Sequence, residues 1–272
     1  MLGIIVLLVA GLLVLVAAVR LLEPRLAFFP FAGEDVTPQD FGVSYTPLTL
    51  ETEDGERLRA WHLPRADATA QVVYFHGNGG NLSLWAGILV GLWRQGLEVI
   101  AVDYRGYGLS TGAPSEQGLY RDVASTLAHV HSRLRRPEVP LVYWGRSIGT
   151  AMAAYAGHRQ APDGLILEAG FPSARAVLES NPVMLLLSLF SSYRFATAEW
   201  MASVRTPTLV IHGDSDSVIP YRLGQRLHEA LPGPKRFVTI PGGDHNDASP
   251  RDPERYWSAV KDFIATFSSA PR

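Results

Sequence analysis

Residues 2 to 19 carry no charge, and Arg20 closes the run with Arg25 shortly after it. Beyond this stretch the pattern changes. Short apolar runs rich in β-branched and aromatic residues alternate with longer stretches whose apolar positions recur at helical spacing. The short runs predict strands over 43–50 and 58–63, folded about the turn Glu53-Asp54-Gly55-Glu56. Further strands are predicted over 71–75, 97–104, 139–144, 164–167, 208–211 and 237–240. Helices are predicted over 82–94, 115–134, 147–158, 221–231 and 252–267, with Ser115 and Glu116 capping the second. Strands alternating with helices imply an α/β domain with a mostly parallel eight-stranded sheet and helices on both faces. The opening antiparallel hairpin makes the sheet mixed.

As a helix, the uncharged run spans about 27 Å, close to a bilayer's hydrocarbon core. The favoured reading is an uncleaved transmembrane anchor over 1–22, followed by a linker over 23–42 and one domain over 43–268. A secretory signal cleaved near Val16-Ala17-Ala18 is the alternative, which would make the product secreted. Such signals have a shorter apolar stretch and basic residues ahead of it, and none precedes this run. A buried core helix fits poorly with so little polarity. The basic residues after the span favour a catalytic domain on the cytoplasmic side.

About 40 residues separate the strands ending at 167 and starting at 208, more than a simple crossover uses. Within them Val183-Met184-Leu185-Leu186-Leu187-Ser188-Leu189-Phe190 is apolar nearly all round. Such a segment is buried, covers a cavity or touches lipid. The region 171–205 is read as a small lid, with Leu186, Leu187 and Phe190 as candidate substrate-binding residues; a core helix and a membrane contact are the other readings.

Composition narrows the chemistry. The chain has 272 residues, a net charge of −2 with both signs mixed, and no cysteine. A cysteine nucleophile, a thiolate metal site and a disulfide framework are excluded. No basic run suggests a nucleic-acid partner.

In open sheets of this kind ligands gather at the carboxyl ends of the strands. Four motifs fall there. Gly145-Arg146-Ser147-Ile148-Gly149 stands between a predicted strand and helix, where a serine flanked by glycines forms a nucleophile elbow. His76-Gly77-Asn78-Gly79-Gly80-Asn81 follows the third strand. Its flexible backbone can aim N–H groups at a developing oxyanion. The backbone N–H groups of Asn78 and Ile148 are the candidate oxyanion donors, with Asn81 also a candidate helix cap. His212-Gly213-Asp214-Ser215-Asp216 follows the seventh strand and supplies a carboxylate to orient a histidine. Asp216 is preferred because it precedes the turn into the next helix, and Asp214 is the other candidate. His245 lies in Gly242-Gly243-Asp244-His245-Asn246-Asp247, after the last strand, where a neutral imidazole can serve as base to Ser147. Asp103 and Arg105, after the fourth strand, are read as structural ties between loops.

The order Ser147, Asp216, His245 is the nucleophile–acid–base order of α/β hydrolases. On these motifs the chain resembles the α/β-hydrolase superfamily over about residues 26–268, and within it the membrane-anchored abhydrolase-domain group, whose domains are called serine aminopeptidase-like or lysophospholipase-like. The resemblance implies the α/β-hydrolase fold, catalytic roles for Ser147, Asp216 and His245, and an oxyanion role for Asn78. Asp244 departs from the group, where glycine is frequent. The expected activity is hydrolysis of carboxylic esters through an acyl-enzyme, with a small-molecule or lipid acyl substrate and no metal or organic cofactor. A peptidase, amidase or acyl-protein thioesterase with the same triad is the alternative, and a non-catalytic membrane-associated binding protein the remaining one.

Overall fold

The computed structural model describes residues 2–182, 184–185, 187–247 and 251–268. Helix α1, Leu2–Ala27, stands at the start. It is long and apolar enough to cross a membrane by length and composition, and none of its apolar window is buried against the protein. Strands β1 (Thr46–Glu51) and β2 (Arg57–Leu63) form the expected antiparallel hairpin. The chain then alternates β3 (Ala70–Phe75), α2 (Leu82–Arg94), β4 (Leu97–Val102), α3 (Glu116–His129), β5 (Leu141–Arg146), α4 (Gly149–Arg159) and β6 (Gly164–Glu168). Two short helices follow, α5 (Ala174–Ser180) and α6 (Thr197–Met201). Strand β7 (Thr208–Gly213), α7 (Tyr221–Ala230), β8 (Lys235–Ile240) and α8 (Pro253–Ser268) complete the domain.

The eight strands lie in the order β8-β7-β6-β5-β3-β4-β2-β1. The last six in sequence, β3 to β8, run parallel. Side chains on these strands alternate between two apolar layers, as a pleat of period two requires. Val73 and Phe75 face the layer containing Leu119, Val123 and Met152, from α3 and α4. Val72 and Tyr74 face the layer containing Leu89, Val260 and Ile264, from α2 and α8. The sheet is thus covered on both faces, and the carboxyl ends of β3, β5, β7 and β8 share one edge.

Two local departures from the sequence reading have physical causes. The helix after β5 begins at Gly149 rather than at 147, because Ser147 has φ +54°, the left-handed region that a right-handed helix cannot use. The segment predicted as a helix over 115–134 is α-helical to His129 and then widens into a π-helical turn, Val130–Leu134. The stretch read as a linker is engaged with the domain. Phe29–Pro30 pairs in parallel with Gly79–Gly80, and Glu34 bonds Arg59 and Trp61.

Candidate active site

Close approach of backbones forces the shape of the turn after β5. A β-carbon at Gly145 would collide with the carbonyl of Gly149, and one at Gly149 with the carbonyl of Phe75. Only glycine fits at either position, so the chain turns sharply and lifts Ser147 out of the sheet edge. The seryl N–H donates to the Glu168 carbonyl at 2.9 Å, and the Ser147 carbonyl accepts from the Thr150 hydroxyl and N–H. The backbone is therefore held, and only the hydroxyl is presented.

His245 and Asp216 come to that hydroxyl from two other loops. The His245 Nε2 lies 3.1 Å from Ser147 Oγ, and its Nδ1 lies 2.8 Å from Asp216 Oδ2. Asp216 Oδ1 accepts from the N–H groups of Val218 and Ile219 at 2.9 and 2.7 Å. Burial by itself raises the Asp216 carboxyl. Hydrogen bonds from His212 and His245, the charge of His245 and the Ile219 N–H outweigh it and hold the group well below the usual carboxylate range. Asp214 is used differently: its Oδ1 takes the Gly242 N–H at 2.7 Å and fixes one loop against the other.

The loop after β3 brings Gly77 against the elbow. A β-carbon there would crowd the Trp85 ring and would lie 3.6 Å from the Ser147 β-carbon. The side chain of Asn78 donates to the Ala27 carbonyl at 2.6 Å, and the Tyr107 hydroxyl faces both the carbonyl and the side-chain oxygen of Asn78 at 2.9 Å. Its orientation is thus fixed from both sides. Among the described residues the N–H groups of Asn78 and Ile148 donate to no acceptor, and both residues line the space above Ser147. Asn81 caps α2, its side chain accepting from the Leu84 N–H.

That space is a cavity of about 960 Å³. Besides Ser147 and His245 its walls include Phe171, Leu178, Met184 and Phe195 from the region read as a lid. That volume lies near the upper end of the range of about 300–1,000 Å³ usual for organic ligands. Among the candidate substrate-binding residues, Leu186 lies outside the described residues. Leu187 opens a short 3-10 turn, and its side chain is not described. Phe190 does not line the cavity; its carbonyl accepts from Arg20 Nε at 3.3 Å. Met184, from the same apolar stretch, lines the cavity.

The family described as serine aminopeptidase, S33, matches residues 66–199. An uncharacterized protein of Mycobacterium tuberculosis is 33% identical over 244 residues, 89% of this chain and 87% of that one. An uncharacterized membrane protein of Saccharomyces cerevisiae is 33% identical over 235 residues, 84% of this chain and 82% of that one. The alpha/beta hydrolase domain-containing protein aho-3 of Caenorhabditis elegans is 30% identical over 211 residues, 77% of this chain and 61% of that one. This chain belongs to the α/β-hydrolase superfamily. The fold agrees: a Pyrococcus furiosus esterase structure superposes with a TM-score of 0.72 over 88% of this chain and 98% of that one, at 17% identity.

Two residues of this hydrolase, His212 and Arg146, escaped the sequence reading. His212, fully buried, has its Nε2 2.9 Å from the Ile219 carbonyl and 3.2 Å from Asp216 Oδ2, so Asp216 faces two imidazoles. Its signal was the spacing of four residues from Asp216 at the end of one strand. Arg146, buried beside the nucleophile, donates to the His245 carbonyl at 2.8 Å, lies 3.6 Å from Glu168 and stacks on Trp85. Asp244 does not point at the imidazole. Its Oδ1 accepts from the Ser217 N–H and hydroxyl and from the His245 N–H, joining the loops that carry Asp216 and His245. Asp103 and Arg105 serve as ties: Asp103 accepts from the Leu82 N–H, and Arg105 bridges Asp54 and Asp122.

Proposed function

We propose that this hydrolase is a serine esterase acting on lipophilic carboxylic esters. The observation that carries the reading is the contact series Ser147–His245–Asp216, opening on a largely apolar cavity beside two unengaged N–H groups. Ser147 Oγ attacks the acyl carbon while His245 Nε2 takes its proton, and Asp216 steadies the imidazolium through Nδ1. The carbonyl oxygen gathers negative charge between the N–H groups of Asn78 and Ile148. The bond to the leaving oxygen breaks, and His245 returns the proton to the departing alkoxide. Water, deprotonated by His245, then attacks the acyl-enzyme, which releases the carboxylic acid and restores Ser147.

The family description favours a second reading, an aminopeptidase. Such an enzyme needs a carboxylate to hold the substrate amine. Glu23 is the acidic residue among those lining the cavity, and its carboxylate is engaged by Ser191, Ser192 and the Tyr193 N–H. The uncharged run of α1, and the likeness to the yeast membrane protein, support anchoring by this helix. Arg20 and Arg25 beyond the run support a cytoplasmic domain. The test is a panel of esters of graded acyl length run beside aminoacyl amides, on wild type and Ser147→Ala. The reading expects turnover rising with acyl length, abolished in the variant. Preference for short aminoacyl amides would establish the peptidase instead.

A further inference from the structure

We infer that α1 is a wall of the substrate site as well as an anchor, and that the substrate is an acyl ester resident in the bilayer, its chain passing sideways along this helix to Ser147. This rests on the serine-esterase reading above. Val19, Glu23, Leu26 and Ala27 all line the cavity that holds Ser147 and His245. Their spacing of i, i+4, i+7 and i+8 places them on one stripe of the helix, facing the domain. Facing them are Val177 and Leu178 of α5, and Leu84 and Ile88 of α2.

The length of the helix fixes where this stripe lies. Twenty-six residues span about 39 Å, whereas the hydrocarbon core is about 30 Å thick. The excess of about 9 Å is six residues, or a turn and a half. Residues 2–19 are uncharged whereas Arg20, Glu23 and Arg25 follow, so the excess lies at this end, and Val19 to Ala27 straddle the boundary between acyl chains and headgroups when α1 spans. Leu26 and Phe29, which line the cavity and are exposed, stand at this end of the helix.

The helix end is held, so the catalytic domain sits against the bilayer instead of hanging from a tether. The Glu23 carboxylate accepts from Ser191, Ser192 and the Tyr193 N–H, which fastens α1 to the lid region. The Ala27 carbonyl accepts from the Asn78 side chain. Phe28 is buried edge-on against Tyr193 and Phe195 at 5.4 and 6.1 Å between ring centroids.

The rim is mostly apolar, Asn246 being the exposed polar residue among its described lining. Leu84, Met184 and Val218 line the cavity yet remain 61%, 41% and 55% exposed. A mouth that received substrate from water would carry mostly polar groups at its edge. A rim of exposed leucine, methionine and valine is stable where lipid covers it. The occupant that matches the apolar walls, the volume and the height of the opening is one long acyl chain, with its ester carbonyl at Ser147.

The full chain is reconstituted in phosphatidylcholine vesicles and given two esters of one fluorogenic alcohol, the butyryl ester in water and the palmitoyl ester dissolved in the bilayer. Val19→Trp and Leu26→Trp fill the stripe at two positions. Leu22→Trp adds the same bulk at a position outside the lining. The expected result is a palmitoyl-to-butyryl ratio of kcat/KM that falls at least tenfold in both stripe variants and less than twofold in Leu22→Trp. Wild-type turnover of the palmitoyl ester should follow its mole fraction in the bilayer, not its bulk concentration. Fluorophosphonate labelling of each variant reports that its site is assembled, and two positions guard against one that misfolds. If wild type cleaves both esters and the ratio is unmoved by the stripe variants, the inference fails and the esterase reading stands. Palmitoyl turnover that follows bulk supply also overturns it. If wild type cleaves neither ester and takes no label, both fall.

Discussion

At the residue scale, Asp216 carries the most information. It receives two imidazoles and two backbone N–H groups, and its carboxyl is held well below the ordinary range despite its burial. Asp216→Asn is expected to lower kcat about 10³–10⁴-fold, because an amide no longer holds the reactive tautomer of His245. The same contacts stabilise the fold. The folded value lies below the unfolded one of about 3.9, so the contribution is complete above about pH 4 and is lost as pH falls through the folded value. Thermal melting should show the gap between wild type and Asp216→Asn at its full size near pH 7 and narrowing below about pH 4. A gap that widens on acidification would contradict this origin. The sequence made Ser147, Asp216 and His245 legible because each follows a strand in a turn of restricted composition. His212 and Arg146 were hidden because both belong to strands, where a polar residue reads as an interruption of an apolar run. Their partners, Asp216, Glu168 and the His245 carbonyl, are remote or inconspicuous in sequence.

At the scale of elements, the site exists because backbones pass closer than side chains allow. The elbow needs glycine at 145 and 149, and the loop after β3 needs it at 77. Gly149→Ala puts a methyl group into the Phe75 carbonyl, with β3 and β5 fixed in register on either side. The expected outcome is a loss of stability of several kcal/mol, in the upper range for single substitutions, with loss of activity. Thermal unfolding and ester turnover check it, and a variant that melts and turns over like wild type would refute the packing described. Strand and helix order could be read because short apolar runs, buried at every position in β3 to β7, alternate with longer stretches of helical spacing. The lid could not. Its apolar stretch left a lid, a core helix and a membrane contact open, and the chain there forms α5, a 3-10 turn and α6. Contacts from afar set that path: Glu116 accepts from the N–H groups of Arg194 and Phe195, and Glu23 holds Ser192. Glu116, read as part of a helix cap, spends its carboxylate on this brace.

At the scale of the molecule, α1 is bonded to the domain that follows it. The expected boundary at residue 22 cuts through α1, which continues to Ala27 and is bonded to the loop that bears Asn78. That union was not legible, since a hydropathy plot ends where charge begins and says nothing about what the following turn touches. The anchored reading predicts that the full chain stays with membranes through an alkaline carbonate wash and that its intact mass includes residues 2–18. Release into the supernatant, with a mass matching removal after Ala18, would establish a cleaved signal. The central claim, that Ser147 is the nucleophile of this assembly, is tested most directly by mass spectrometry after exposure to a fluorophosphonate. Trypsin cutting after Arg146 and Arg159 frees the peptide that begins at Ser147. The account predicts one phosphonyl adduct, on that peptide and at that serine, absent from Ser147→Ala; no adduct, or one that persists in the variant, would contradict it.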